Sequence, residues 1–355
     1  MAEPTRPEPH NSLLGCLLGG ALGDALGAPL EFMRLADIRQ SFGPDGLCHL
    51  APAYGRPGAI TDDTQMALFT AEGLVQAWDR GSARGICDVV GTVHGAYLRW
   101  LKTQGETSTH PTFDPAATDG LAGLADLNAR RAPGGTCLSA LKAATAGSRC
   151  DPLNDSRGCG GLMRIAPVGL AFAEAFDLGC DIAALTHGAP GGYLAAGCFA
   201  QIIADVCRGA DLGAALAHAR DLLVAELHHG RTLSAIEDAV ALAAAGEPSA
   251  ARLETLGEGW VAEEALAIAI YCALVAQDWV DGVVLAANHS GDSDSTASLT
   301  GNLLGALWGR QALPADWLVE LELREIIEEL AGRLCDRYWP GRGPSQPADE
   351  EEACP

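Results

Sequence analysis

Two short acidic stretches carry the clearest chemistry in this chain. Thr61-Asp62-Asp63-Thr64 and Ser290-Gly291-Asp292-Ser293-Asp294-Ser295-Thr296 each set two carboxylates beside hydroxyl-bearing neighbours. That is the hard-oxygen donor set of Mg2+, Mn2+ or Ca2+, and neither stretch contains the His or Cys that a zinc site favours. Counted from Asp292, an EF-hand loop needs Gly at its sixth position and Glu at its twelfth, where this chain has Ala297 and Leu303. The reading that remains is one divalent-metal site split between two distant segments. A plainer role competes with it: each stretch precedes an apolar-periodic run, so Thr61 and Ser290 or Asp292 can serve as N-caps, with first-turn acids favoured by the helix dipole.

A second candidate is the glycine-rich run Asp155-Ser156-Arg157-Gly158-Cys159-Gly160-Gly161-Leu162-Met163-Arg164, which leads into a helical pattern. Such a junction can present backbone N–H groups to a phosphate with Arg157 or Arg164 as counter-charge, or it can be an ordinary loop. His187, in the turn Thr186 to Gly191, and His289, beside the Asp292 cluster, are each a loop imidazole satisfied by a carbonyl or a catalytic base.

The elements that must position these groups read as helices. Nearly half of the 355 residues are apolar (48%), only 5% are aromatic, and Ala, Leu and Gly outnumber β-branched residues, which favours helix over sheet. From Ser12 an apolar helical pattern carries Gly15, Gly19, Gly20, Gly23 and Gly27 every three or four residues, implying close approach of another backbone or a ligand. Asp24 and then Glu31 interrupt it, and no GxGxxG fingerprint follows a strand, so a dinucleotide-binding turn is not supported. Gly43 to Thr61 is rich in Pro and Gly and reads as a long loop. Helical patterns follow at about 65–78, 86–101, 116–130, 136–147, 167–176, 180–187, 191–208, 210–228, 231–245, 261–277, 297–307 and 317–338. The expectation is one all-α domain over 12–340, with disordered tails at 1–11 and, acidic, at 341–355.

A net charge of −23 without a basic stripe argues against nucleic acid and anionic membrane surfaces as partners, though a local cation or helix N-terminus can still hold an anionic nucleotide. The two lysines, Lys102 and Lys142, against 21 arginines make Schiff-base or P-loop chemistry a poor fit, although codon bias explains the imbalance as well. Twelve scattered cysteines without a CxxC pair point to reduced thiols. Leu14-Gly15-Cys16 lacks the leader of a lipoprotein signal, and no apolar run is long enough to span a bilayer, so a cytoplasmic protein is expected.

Taken together, GCLLGGALGDALGAPLEF at 15–32, TDDTQMAL at 61–68, GCGGLMRIAPVGL at 158–170, THGAPGGYLAAG at 186–197 and SGDSDSTASLTGNLLGALWG at 290–309 resemble the ADP-ribosylglycohydrolase family, from Leu14 to about Trp308. The resemblance implies an all-α, multi-helix hydrolase that cleaves the bond at ribose C1″ of an ADP-ribosylated protein or small molecule, arginine linkage favoured, serine linkage or O-acetyl-ADP-ribose next. It implies two Mg2+ ions, with Mn2+ as a substitute, held by Thr61, Asp62, Asp63, Asp292, Asp294 and Ser295. Glu31, Asp62, Asp63 and Asp294 would be the catalytic carboxylates. Gly158, Cys159, Gly160, Gly161, Met163 and Arg164 would form the ADP-ribose loop, with His187 and Tyr193 in the adjoining pocket. A further loop acid used by the arginine-releasing members has no clear counterpart among Asp88, Asp114 and Asp119.

Cleavage at C1″ passes through an oxocarbenium-like state and needs an activated water and a protonated leaving group, work for which carboxylates and divalent cations are suited. A shared fold does not guarantee shared chemistry, so a non-hydrolytic ADP-ribose reader, a structural relative, or a hydrolase of another nucleoside glycoside are the alternatives. Oligomeric state is not legible.

Overall fold

The computed structural model describes residues 7–339. The expected tail at 341–355 and residues 1–6 lie outside them. Sixteen α-helices follow one another, and β-structure among the described residues is limited to two isolated bridges, Ala53 with Arg56 and Gly158 with Val261. In chain order they are α1 (Pro9–Gly27), α2 (Leu35–Phe42), α3 (Asp62–Arg84), α4 (Val89–Thr103), α5 (Gly135–Leu141), α6 (Ala166–Ala171), α7 (Phe176–Ala184) and α8 (Pro190–Cys207). Then come α9 (Leu212–Val224), α10 (Gly230–Ala244), α11 (Ala250–Leu253), α12 (Ala262–Val275), α13 (Trp279–Ala287), α14 (Ser293–Trp308), α15 (Ala315–Glu320) and α16 (Arg324–Tyr338). The all-α expectation holds.

The spine of the molecule is the pair α1 and α14. Helix α1 starts at Pro9, three residues before the expected Ser12, because proline suits the first turn, where its missing N–H costs nothing. From Ser12 to Gly27 every residue of α1 is buried, so this helix is a core rod and not an amphipathic surface helix. A side chain at Gly15 would strike the backbone of Gly305 and Gly309, one at Gly19 the carbonyl of Gly301, one at Gly23 that of Ala297, and one at Gly27 the backbone of Asp294. The pairing runs in opposite directions along the two helices. The glycine stripe therefore marks an antiparallel helix contact at backbone distance, and it brings the C-terminal end of α1 to the N-terminal end of α14. Helices α3, α6, α13 and α16 pack around this pair, and α8 and α12 extend the core on the α14 side.

Several element boundaries differ from the sequence expectation for identifiable reasons. The pattern at 116–130 forms only two 3-10 turns, because Gly120 takes a left-handed conformation (φ 58°) and the Leu121 N–H donates to the Glu72 carboxylate instead of a helical carbonyl. The pattern at 136–147 stops at Leu141. Helices α2, α11 and α13 were not expected: α2 and α11 are too short to show a period, and α13 is valine-rich.

Candidate active site

Asp24 is the residue on which the site is assembled. It sits one turn from the end of α1, fully buried, and its carboxylate accepts the N–H groups of Thr61 (3.0 Å) and Thr64 (3.2 Å) and the Thr64 hydroxyl. These are donors that the first turn of α3 leaves free, so Asp24 pins the N-terminus of α3 against α1. Thr61 caps the same helix by accepting the Asp63 N–H (3.2 Å). Capping and candidate chemistry thus occupy the same residues: Asp62 and Asp63 form the first turn of α3, and Asp294 lies in the first turn of α14, after Asp292 at its N-cap position.

The two acidic stretches meet. Asp62 accepts the Gly134 N–H through Oδ2 (3.0 Å), while its own N–H donates to the Arg131 carbonyl (3.0 Å), which fastens the 131–134 loop over the site. Asp292 and Asp294 stand side by side on the cavity wall. The Cys159 thiol donates to Asp292 Oδ2 (2.8 Å), and the Ser295 hydroxyl lies 3.7 Å from the same sulfur. Glu31 follows α1 and completes a wall of acids. A cavity of about 310 Å3 opens among Glu31, Asp62, Asp63, Asp292, Asp294 and Ser295 on one side and Gly134, Gly158, Cys159, Gly160, Met163 and His187 on the other. At its mouth Phe32 stacks on Trp260, with ring centroids 5.3 Å apart at 18°.

The glycine-rich loop is zipped to the segment preceding α12 through Cys159 N–H to Trp260 O (3.2 Å) and Ala262 N–H to Arg157 O (2.8 Å). Side chains at Gly160 or Gly161 would run into the His187 ring, which supports the loop from beneath. His187 is buried, exchanges a hydrogen bond with Thr186 (2.8 Å), and is pushed down to about 3 by burial and then by Arg164, so it is a neutral imidazole.

Not every expected site residue reaches the cavity. Arg164 is fully buried behind the loop, where its guanidinium lies 4.2 Å over the Tyr97 ring and donates to Thr186 Oγ1 (2.7 Å). It holds Thr186, and through it His187, instead of meeting a ligand. Arg157 is paired with Glu263 (2.9 Å). Tyr193 is beside Cys180, Arg149 and Glu226, away from the cavity, and neither Gly161 nor Thr61 lines it. Conversely, Asp24, Phe32, Gly134 and Trp260 belong to the site without having been singled out for it. Trp260 had a signal, an aromatic set between Gly257, Gly259 and the next helix; Asp24 had one too, as an acid inside an apolar helix.

Among the described residues, no lysine or arginine lines the cavity. Burial first, then the neighbouring acids, raise Asp24 to about 7 and Glu31 to about 10, and the same causes hold Asp62, Asp63 and Asp292 well above the carboxylate range. Asp63 Oδ2 is buried and has no hydrogen-bond partner among the described residues. A buried carboxylate oxygen left bare among like charges costs several kcal/mol unless a cation satisfies it, and oxygen-rich acids suit a hard divalent ion. The residues fit such an ion in chemistry, although among the described residues no three His, Cys, Asp or Glu side chains stand in a finished cage.

The molecule is thus an all-helical globule in which a carboxylate-walled cleft faces a glycine-rich loop. The ADP-ribosylglycohydrolase family matches residues 5–343, and the chain belongs to it. It is an enzyme that hydrolyses glycosidic bonds of ADP-ribosyl groups. The ADP-ribosyl-[dinitrogen reductase] glycohydrolase of Rhodospirillum rubrum is 26% identical over 93% of this chain and 98% of its own length. The ADP-ribosylarginine hydrolase Tri1 of Serratia proteamaculans is 26% identical over 90% of this chain and 78% of its own. Among solved structures, an ADP-ribosylglycohydrolase-related protein complex superposes with a TM-score of 0.65, 28% identity, and coverage of 93% of this chain and 99% of the other.

Proposed function

We propose that this enzyme reverses mono-ADP-ribosylation, arginine-linked in the first place, in a reaction dependent on two Mg2+ ions. The observation that carries the reading is Asp63 Oδ2, buried and unpartnered in a wall of acids that no cationic side chain neutralises. Asp62, Asp63, Asp292 and Asp294 would hold the ions, with Thr61 and Ser295 adding hydroxyl oxygens; Mn2+ would substitute. Bound there, divalent ions supply the missing positive charge and the Lewis acidity that polarises ribose hydroxyls and a water.

The protein's own groups do the rest. Glu31 stands at the cavity wall beside the acids that would hold the ions, placed to exchange a proton at the scissile C1″ bond. Gly158 and Gly160 expose backbone to the ligand's phosphates, and the Phe32–Trp260 pair offers an aromatic face at the mouth. The Serratia relative, an ADP-ribosylarginine hydrolase, favours arginine as the leaving side.

Glu31→Gln tests the role of that carboxyl. The neutral isostere keeps contacts but cannot exchange the proton, so kcat should fall about 100-fold or more while ADP-ribose affinity changes little. An equal loss of affinity would assign Glu31 to binding instead.

A further inference from the structure

A second cavity, of about 920 Å3, lies where the end of α3 turns into α4, and it shares no lining residue with the acidic cleft. We propose that it is a binding site for a small phosphate-bearing anion, held by Arg80, Arg84 and the imidazoles of His94 and His110. The site stands apart from the cleft and does not depend on the function proposed for it.

His94 is the first observation. It is only 4% exposed, faces this cavity, and its ring makes no hydrogen bond among the described residues. Its ring nitrogens are open to the cavity and so can donate to or accept from a ligand there. Among the described residues its ring contact is with His110, edge-on at 4.7 Å between centroids. Burial, then His110 and Arg164, push His94 down to about 4, which leaves a neutral imidazole with one N–H to offer.

The arginines are the second. In a chain of net charge −23, with 46 acids, the cavity-lining Arg99 and Arg157 are each paired with a carboxylate. Arg84 has neither an ion pair nor a side-chain hydrogen bond among the described residues, and Arg80 has only the Thr92 hydroxyl at 3.4 Å. The one acid on the wall, Asp88, is engaged in capping α4 through the Gly91 N–H (2.9 Å). Two guanidiniums and two imidazoles therefore line one cavity, a donor set that matches phosphate oxygens, while the Thr112 hydroxyl is engaged with His110 Nδ1 (2.9 Å) and fixes that ring. Two imidazoles alone could also hold a transition-metal ion, but adjacent guanidiniums repel a cation. Ile86, 83% exposed on the rim, gives an apolar wall for the organic part of such a ligand.

The test is a titration of the full chain with inorganic phosphate at constant ionic strength, following the ring 1H–13C signals of its histidines. The His94 and His110 signals should move on one saturating curve in the low-millimolar range. Arg80→Gln and Arg84→Gln, both exposed and remote from the cleft, should each weaken that curve about tenfold and leave hydrolase activity unchanged. The proposal is overturned if these two rings do not respond, if the response never saturates, if neither substitution shifts the curve, or if Zn2+ or Ni2+ moves them and phosphate does not.

Discussion

At the scale of single residues, the site is a case of stability given up for chemistry. Asp63 contributes a buried, unpartnered oxygen to a cluster of like charges, so its removal should help the fold and harm the reaction. Asp63→Asn in chelator should be more stable than the parent by about 1–3 kcal/mol in urea unfolding. The same variant should lose the Mg2+-induced rise in melting temperature and nearly all turnover. Lower stability of the variant without metal would show that Asp63 has a structural partner after all. The acids themselves were legible, because paired carboxylates with hydroxyl neighbours are rare enough to stand out twice. Arg164 was misread, since a guanidinium beside a glycine-rich loop looks the same in sequence whether it faces a ligand or a tyrosine ring. Asp24 was passed over as a cap because Thr61, at the start of the helix it pins, lies 37 residues later.

At the scale of elements, the α1–α14 contact fixes the distance between Asp24, Glu31 and the Asp292–Asp294 turn. Side chains at Gly301 or Gly305 would meet the carbonyls of Gly19 or Gly15 at 2.1 and 1.9 Å, backbone that cannot move aside without separating the helices. Gly301→Ala should therefore destabilise the protein by about 3 kcal/mol or more, measured by thermal unfolding, and lower activity in whatever fraction remains folded. Gly332, in α16, has open space around its Cβ position, and Gly332→Ala should instead be stabilising by about 0.4–1 kcal/mol. Equal effects at the two positions would contradict the close-packed spine. The stripe of small residues was visible in sequence and foretold a near neighbour, but not which one, since Gly301 and Gly305 lie almost 300 residues downstream. Short helices such as α2 and α11 carry too few turns for a period to emerge, and the 120–127 turns depend on Glu72, which no local pattern reveals.

At the scale of the whole molecule, a strongly acidic chain sets five of its acids around one cleft and keeps three histidines, His94, His187 and His289, buried in its interior. Burial holds all three below the pKa of an unfolded imidazole, about 6.5. The unfolded chain then binds more protons below that pH, so their contribution to stability is present above about 6.5 and is lost as pH falls towards 4. Replacing one should flatten this loss: the urea midpoints of the parent and His94→Gln should converge between pH 7 and pH 4.5, and a constant gap would exclude the linkage. That the chain is all-helical could be read from composition and period alone; that its ends of α1, α3 and α14 meet at one point could not, because it rests on backbone contacts between distant segments. Dependence of ADP-ribosyl hydrolysis on a divalent metal is tested most directly by release of ADP-ribose from arginine-linked and serine-linked substrates, each with Mg2+ and with chelator. The account predicts Mg2+-dependent release, arginine-linked substrate preferred, abolished by chelator and by Asp294→Ala. Undiminished release in chelator, or an active Asp294→Ala protein of intact helical content, would contradict it.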